Sequence, residues 1–139
     1  MSDDGIQLQP IGHVESPLTD AATAPKQGDE GAPDAWLVVD SSLAPALGGL
    51  RVGDDLLVLT WLDRAERDVL EVHPRGDLER PPQGVFSTRA PDRPNPIGLH
   101  RVELAEIDGS RLRVRGLEAI DGTPILDLKP VLSREVDER

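Results

Sequence analysis

The sequence has no cysteine and few aromatic residues, and these absences exclude several kinds of protein. Without cysteine, neither a disulfide framework nor a thiolate metal site can form. The aromatic residues are Trp36, Trp61 and Phe86, so the core must be built from Leu, Val, Ile and Ala, and binding of nucleic acid by extensive base stacking is disfavoured. No apolar run approaches the roughly 20 residues of a membrane-spanning helix. Nor does the chain open with a signal-peptide pattern, which predicts a soluble cytoplasmic protein.

The motifs of common enzyme classes are missing as well. His13, His73 and His100 lack the spacing of metal ligands, so we expect surface or hydrogen-bonding roles and no metal. Ser87 lies in no GxSxG elbow, which disfavours a serine hydrolase. No P-loop is present, and no GxGxxG follows a strand to mark a dinucleotide-binding fold. The sequence therefore shows no obvious catalytic nucleophile.

Charge is unevenly distributed along the chain. The formal net charge of −11 weakens a nucleic-acid hypothesis, because RNA and DNA binders need Lys and Arg to displace phosphate counterions. The acids concentrate near the start and in the tail, whereas eight arginines gather between positions 75 and 115. They are Arg75, Arg80, Arg89, Arg93, Arg101, Arg111, Arg113 and Arg115. A local basic face on an acidic body is therefore one expectation.

The pattern of apolar residues predicts a single, mainly β domain. We predict a disordered lead-in over 1–10, one domain over 11–131 and a charged tail over 132–139. Short apolar runs between turn signals predict strands; they cover 11–14, 36–39, 55–62, 69–72, 111–115 and a run from 125. The run 55–62 is almost continuously apolar, which predicts a central strand covered on both faces. In 111–115 the alternation places Leu112 and Val114 inside and the arginines outside.

Helix is predicted at one place only. Residues 41–47 could form a short helix with Ser41 or Ser42 as N-cap, ended by Gly48 and Gly49. Leu43, Leu47 and Leu50 would then face the core. Residues 18–33 show no periodicity and predict a long loop, a feature that is usually functional or mobile. Together these signals indicate an all-β barrel or sandwich, most simply a small β-barrel with one short helix and long loops.

The segment 84–98, GVFSTRAPDRPNPIG, is the densest concentration of unusual residues. Its prolines fix their own φ angles and restrict the residues before them, so the segment is predicted to be neither helix nor central strand. A rigid loop would hold Arg89 and Arg93 at defined places, which suits recognition of a carboxylate or phosphate. The alternative is a proline-stiffened turn with two surface arginines.

Extended by one residue to GVFSTRAPDRPNPIGL, this string resembles the signature of the TsaA-like proteins, the TrmO-type S-adenosylmethionine-dependent tRNA methyltransferases. Three further blocks agree in order: IGHVESP at 11–17, GL at 49–50 and DGTPILDLKP at 121–130. The resemblance runs from about residue 11 to residue 130. It implies a non-Rossmann β-barrel that binds S-adenosylmethionine (SAM), forms a homodimer and methylates N6 of N6-threonylcarbamoyladenosine beside the anticodon of tRNA.

The resemblance also implies site residues. The implied cofactor contacts are Arg89, Leu99, Ala119, Ile120, Asp121, Gly122, Thr123, Lys26, Gln27, Asp63 and Arg64. Arg93 and Lys129 are candidates for holding the threonyl carboxylate or an RNA phosphate. Asn95 could pair with a base edge, although its place between two prolines favours a structural turn. Asp121–Gly122 could equally be a plain turn, and no residue can be named as the catalytic base.

Several positions depart from the family pattern. Asp63 stands where the family often has histidine, Ala90 replaces the serine of an Arg-Ser-Pro triplet, Glu118 replaces an aspartate, and Val131 replaces an aromatic residue. These departures leave two alternatives beside the tRNA methyltransferase. One is a SAM-dependent methyltransferase of a small molecule, and the other is a non-catalytic β-barrel binding module.

Overall fold

The computed structural model describes residues 5–19, 33–73 and 76–132. The strands are β1 Gly12–Glu15, β2 Ala35–Val39, β3 Asp55–Trp61, β4 Glu71–Val72, β5 Gln83–Gly84, β6 Ile97–Asp108, β7 Arg111–Arg115 and β8 Pro124–Pro130. Two 3₁₀ helices cover Ser41–Leu47 and Val85–Ser87. Residues 5–10 are exposed and carry no helix or strand, and the tail beyond residue 132 lies outside the described residues.

Six of these strands close into an antiparallel barrel in the order β1-β2-β7-β6-β3-β8. Side chains alternate along each strand, so every second residue points inward. In β6, for example, Gly98, His100, Val102 and Leu104 are buried and their neighbours are more exposed. Apart from Thr60, His100 and Thr123, the buried side chains of the interior are aliphatic, as the scarcity of aromatic residues requires; the largest fully buried ones are Leu37, Leu56, Leu104, Leu112, Leu117, Ile125, Val14, Val58 and Val114. The predicted all-β barrel is confirmed.

The register of the strands places three connections at one end of the barrel. Residues 16–34 join β1 to β2, residues 62–96 join β3 to β6, and residues 116–123 join β7 to β8. We call this the loop end. The opposite, far end carries the 3₁₀ helix Ser41–Leu47 and the tight β6–β7 turn at Gly109, whose φ is 61°. The strands β4 and β5 form a separate small ladder inside the 62–96 connection.

Three details differ from the sequence-based expectations. β3 is not covered on both faces, because in a closed barrel its outward residues Leu57 and Leu59 are only half-buried. The 3₁₀ helix Ser41–Leu47 is capped by Asp40, whose carboxylate accepts from the Ser42 N–H at 2.9 Å, rather than by a serine. Of the leucines expected in the core, Leu47 and Leu50 pack against it but Leu43 is exposed.

The proline-rich segment is also less uniform than predicted. Val85–Ser87 forms a 3₁₀ helix before the first of the segment's prolines, and β6 begins at Ile97, directly after Pro96. The steric restriction that proline imposes acts on itself and on the residue before it. It therefore shapes residues 90–96 and leaves both flanks free to adopt regular structure.

Candidate functional site

The loop from Gly84 to Pro96 is held rigid by its own hydrogen bonds. Arg93 donates from Nη1 to the carbonyls of Thr88 and Ala90 at 3.0 and 3.1 Å, and from Nη2 to the carbonyl of Val85 at 3.0 Å. The Thr88 hydroxyl donates to Val85 O and accepts from the Ala90 N–H. The guanidinium of Arg93 thus ties together three carbonyls of the loop, of which Val85 O also accepts from the Thr88 N–H.

A second set of bonds fastens this loop to the turn after β3. The Glu66 N–H donates to Asp92 Oδ1 at 2.9 Å, and the Arg93 N–H donates to Glu66 O at 3.0 Å. Arg67 donates to Pro94 O at 2.7 Å and to Asn95 Oδ1 at 3.0 Å. Its guanidinium also lies 5.2 Å from the centroid of the Trp61 ring, within the range of a cation–π contact. The segments 62–67 and 92–96 therefore form one rigid unit.

These contacts separate the two arginines that the sequence could not distinguish. Arg93 is half-buried, and three of its N–H groups are used inside the loop. Asn95 likewise has a structural partner in Arg67, in line with the preference for a turn role. Arg89 is exposed, and within the described residues it forms no ion pair. Of the two arginines, Arg89 is therefore the one whose side chain is exposed on the surface of this loop.

The connection 116–123 is fastened at its second half. The backbone N–H groups of Asp121 and Gly122 donate to Leu18 O and Val14 O at 2.6 and 2.7 Å, and Thr123 N–H donates to Ile120 O at 3.1 Å. Asp121 Oδ1 accepts from Ser16 N–H at 2.9 Å. Gly122 has a φ of 84°, the left-handed conformation that such a turn requires. The amides at 121–123 are thus taken by the protein itself. Ala119 is 4% exposed and packs in the core, so the surface of this segment consists of the half-buried Ile120 and the exposed Asp121 with its remaining carboxylate oxygen.

A buried polar network lies below these segments, and the sequence did not reveal it. The Nε2 atom of His100 lies 2.8 Å from Thr60 Oγ1, and its Nδ1 atom lies 2.5 Å from Glu118 Oε1. Thr60 has no exposed surface, and only 6% of His100 is exposed. Gly98 makes this arrangement possible, because a Cβ there would lie 2.7 Å from His100 Nε2 and would collide with Thr60 Oγ1.

One signal in the sequence points to this network. Gly98 stands inside a strand, and an isolated glycine in a strand marks a bulge or a close approach by another group. Gly98 also lies two, four and six residues before His100, Val102 and Leu104, so it shares the face of β6 that points into the barrel. The partners Thr60 and Glu118 are 40 and 18 residues from His100, so no local pattern connects them.

The other predicted contacts are distributed as follows. Asp63 and Arg64 belong to the rigid turn after β3, where Arg64 donates to Thr19 O at 3.3 Å. Leu99 points outward from the start of β6 with 42% of its surface exposed. Asp63, Arg64 and Leu99 are therefore all at the loop end, together with Arg89 and the 119–123 segment. Lys26 and Gln27 fall outside the described residues.

Lys129 is not brought to this site. It pairs with Leu57 in the sheet, four residues beyond Ile125, which pairs with Thr60 near the loop end. Four residues of strand span about 13 Å, so Lys129 lies toward the far end, where its ammonium is 3.8 Å from Asp127 Oδ2. The three predicted substrate residues are therefore split between the two ends of the barrel.

The expected basic face on the barrel wall is neutralised. Arg101, Arg111 and Arg115 form ion pairs with Asp55, Glu15 and Glu103 at 3.1, 2.7 and 2.9 Å. Arg113 bonds both Glu106 and Asp34, and these hydrogen bonds raise the pKa of its guanidinium above the ordinary value. Exposed pairs of this kind stabilise the fold little, but they cancel the positive charge that a polyanion would need.

Two shallow cavities in the described part of the chain lie toward the far end. One of about 360 Å³ is lined by residues 10–13 and 38–40, and the other, of about 300 Å³, by residues 46–50, 54–56 and 128–131. Neither includes Arg89 or the 119–123 segment.

Comparison with known proteins identifies the family. Residues 13–138 match the tRNA-methyltransferase O N-terminal domain. The chain belongs to that family. The resemblance inferred from the proline-rich string is thereby confirmed.

Two relatives and one solved structure show how far the similarity extends. The "Probable S-adenosyl-L-methionine-binding protein" of Methanothermobacter thermautotrophicus is 48% identical over 94% of this chain and 93% of its own length. The "S-adenosyl-L-methionine-binding protein" of Archaeoglobus fulgidus is 42% identical over 94% of this chain and 91% of its own length. The crystal structure of TrmO from Pseudomonas aeruginosa superimposes with a TM-score of 0.74 at 28% identity, covering 97% of this chain. This chain spans 59% of that solved chain.

In the described ranges, no helix has both the length and the apolar character to cross a bilayer.

Proposed function

We propose that this protein is a SAM-dependent methyltransferase that methylates N6 of N6-threonylcarbamoyladenosine in tRNA. Membership of the tRNA-methyltransferase O family and the SAM-binding names of its relatives support the reaction class. The observation that carries the proposal is the convergence of Arg89, Asp63, Arg64, Leu99 and the 119–123 segment on the loop end. They come from three separate parts of the chain.

The residues at the loop end suit this cofactor. The exposed guanidinium of Arg89, on a loop with little freedom to move, is matched to a carboxylate such as the one on the methionine part of SAM. Leu99 and Ile120 offer exposed and half-buried apolar surface to an adenine ring. When bound, SAM supplies an electrophilic methyl group on a sulfonium ion. The protein's task is then to orient an acceptor nitrogen in line with that group and to exclude competing water.

A small-molecule acceptor is the second candidate, and one observation favours it. The arginines on the barrel wall are paired with carboxylates, so within the described residues few cations are left to hold an RNA backbone. The full activity of the solved relative needs its own test in this protein, because this chain spans only 59% of the length of that relative.

The central experiment measures SAM affinity of Arg89→Ala by calorimetry. Loss of a charge-assisted contact is worth about 1.5–3 kcal/mol, so we expect the Kd to rise about 10- to 150-fold with an unchanged melting temperature. Arg80→Ala is the matched control, since Arg80 is an exposed arginine of the same connection that pairs with Asp77. Equal SAM affinity in both variants would refute the role of Arg89, and no SAM binding by the wild type would favour a non-catalytic module.

The acceptor is tested on tRNA from cells with and without the gene. Mass spectrometry should find the N6-methyl group on threonylcarbamoyladenosine only when the gene is present. SAM binding without any gene-dependent methyl group on tRNA would favour the small-molecule acceptor.

We also propose that the active form is a homodimer. Apolar side chains are exposed near the loop end, with Phe86 at 81%, Ile97 at 40% and Leu99 at 42%. Contiguous exposed apolar surface is characteristic of an interface. Light scattering should give twice the mass of the 15.0 kDa chain, and Phe86→Ser and Ile97→Ser should shift that mass towards the monomer. A monomeric wild type over the concentration range of the activity assay would contradict the proposal.

A further inference from the structure

The network of Thr60, His100 and Glu118 connects three elements at the loop end. Thr60 belongs to β3, His100 to β6 and Glu118 to the 116–123 connection. Because an ionised carboxylate can only accept, the 2.5 Å contact requires that His100 donate from Nδ1 to Glu118. The Thr60 hydroxyl can then donate to Nε2 across 2.8 Å. No buried side-chain nitrogen or oxygen in the described residues lacks a partner, so the network is complete.

The order hydroxyl, imidazole, carboxylate also occurs in covalent catalysis, but burial excludes that role here. A nucleophile activated by histidine must reach its substrate. Thr60 has no exposed surface and His100 is 6% exposed, whereas the Glu118 side chain is 18% exposed. Only the carboxylate end of the network approaches the surface. The threonine and the histidine therefore hold something in place.

What they hold follows from sequence neighbours. His100 follows Leu99, which is 42% exposed, and Glu118 lies two residues before Ile120, which is half-buried; the family resemblance implies cofactor contacts at both Leu99 and Ile120. The second half of the 116–123 connection is fastened to β1 by the bond of Gly122 to Val14, and to the residues that follow β1 by the bonds of Asp121. In the described residues, the side-chain bond that fastens its first half to β6 is the one between Glu118 and His100.

We propose that His100 is a positioning residue that acts through Glu118 to set the spacing between two sides of the methyl-donor site. One side is the start of β6 at Leu99, and the other is the 116–123 connection at the half-buried Ile120. This inference rests on the proposed function, because it presumes that the loop end binds SAM. A side of the site held in its bound position before the ligand arrives lowers the entropic cost of binding.

Two substitutions at the same position separate positioning from simple stability. The side-chain amide of asparagine reaches the place of the imidazole Nδ1, so His100→Asn keeps a donor toward Glu118. The longer glutamine reaches the place of Nε2, so His100→Gln keeps the contact with Thr60 and loses the bond to Glu118. Both remove the ring and should lower the melting temperature by similar amounts. We expect SAM affinity within about threefold of wild type for His100→Asn and a loss of about tenfold or more for His100→Gln.

Variants of the two partners provide the controls. Thr60→Val removes the hydroxyl with little change of shape, so it should lower the melting temperature and leave SAM affinity unchanged. Glu118→Gln keeps an acceptor for His100 and should bind SAM nearly as the wild type does, whereas Glu118→Ala should resemble His100→Gln. Equal SAM affinity of His100→Asn and His100→Gln, or a loss of affinity in Thr60→Val as large as that in Glu118→Ala, would overturn the positioning role.

The same titrations distinguish this inference from the proposed function. If the wild type fails to bind SAM at millimolar concentration, the proposed function falls and the inference with it. If the wild type binds SAM and Arg89→Ala weakens it while all four variants at positions 100 and 118 bind normally, the proposed function stands and the positioning role is refuted.

Discussion

Replacing Gly98 by alanine should unfold the loop end for a steric reason. A Cβ at position 98 would lie 2.7 Å from His100 Nε2 and closer still to Thr60 Oγ1, separations that packed atoms do not tolerate. Neither neighbour can give way freely, because both are buried and bonded to each other. Glycine is therefore needed at position 98 because a side chain does not fit there. Its φ is not in the positive range, so the backbone conformation itself does not require glycine.

The cost can be worked out from these contacts. Overpacking a filled core costs about 1–3 kcal/mol, and parting Thr60 from His100 leaves a buried polar group unpaired, at about 1–3 kcal/mol. The two penalties overlap, so we expect Gly98→Ala to lower the free energy of unfolding by about 2–4 kcal/mol. With about 4 °C per kcal/mol for a chain of this size, the melting temperature should fall by roughly 8–16 °C. Alanine would otherwise stabilise a strand position by about 0.5–1 kcal/mol, so the sign of the effect is itself diagnostic.

The assay is thermal and urea unfolding followed by circular dichroism, with Gly84→Ala as the matched control. Gly84 lies in β5, within the 62–96 connection that leads into β6, with φ −62° and ψ 140°, and a Cβ there meets nothing within 4 Å. We expect that control to be neutral or slightly stabilising. A double-mutant cycle with Thr60→Ala should recover at least about 1 kcal/mol of the Gly98→Ala loss, because it removes one of the colliding atoms. If Gly98→Ala melts like Gly84→Ala, the steric argument and the buried network are both wrong.

Four further outcomes are expected. Gly12→Ala should destabilise more than Gly98→Ala, because its Cβ would collide with the main-chain carbonyl of Val38; soluble, wild-type-like Gly12→Ala would contradict this. Arg93→Ala should lower the free energy of unfolding by about 2–4 kcal/mol through its three lost carbonyl bonds, where Arg80→Ala should be neutral. Hydrogen bonds from Ser42 lower the pKa of the Asp40 carboxyl, so the stability difference between wild type and Asp40→Ala should be constant above about pH 4 and vanish as the pH falls through that lowered pKa; a difference growing in acid would refute the cap. Finally, tRNA affinity should fall with salt with a log–log slope of only about −2 to −3, as expected for about three phosphate contacts, and a slope of about −6 would contradict this small number of contacts.

Local patterns in the sequence determined much of the fold. The alternation in residues 111–115 predicted β7 with Leu112 and Val114 inside, and the apolar run predicted β3. Both predictions were possible because side-chain periodicity is a property of the strand alone. The expectation that both faces of β3 would be buried was wrong, because an apolar run does not distinguish a strand in a covered open sheet from a strand in a closed barrel. The cap of the 3₁₀ helix moved to Asp40 because cap choice depends on backbone angles that the sequence leaves open.

The arrangement of the candidate site could be predicted less completely than the fold, because its residues come from separate parts of the chain. The sequence placed two arginines on a stiff loop, but which one folds back onto carbonyls depends on the path of the loop, and that is Arg93. The sequence offers Lys129 beside Arg93 as a candidate for holding a carboxylate or phosphate, yet the sheet register carries Lys129 four residues from Ile125 toward the far end. Thr60, His100 and Glu118 meet only after the barrel closes.

The distribution of charge constrains how such a protein could act on RNA. Along the barrel wall, each of Arg101, Arg111, Arg113 and Arg115 is matched to a carboxylate, so the wall offers no track for a phosphate backbone. With a net charge of −11, long-range attraction works against any polyanion. Selection of an acceptor must then come from short-range contacts at the loop end, where Arg89 is exposed on a rigid support. A protein built this way would recognise the modified nucleoside itself more than the tRNA that carries it, and the excised nucleoside should compete with tRNA for methylation.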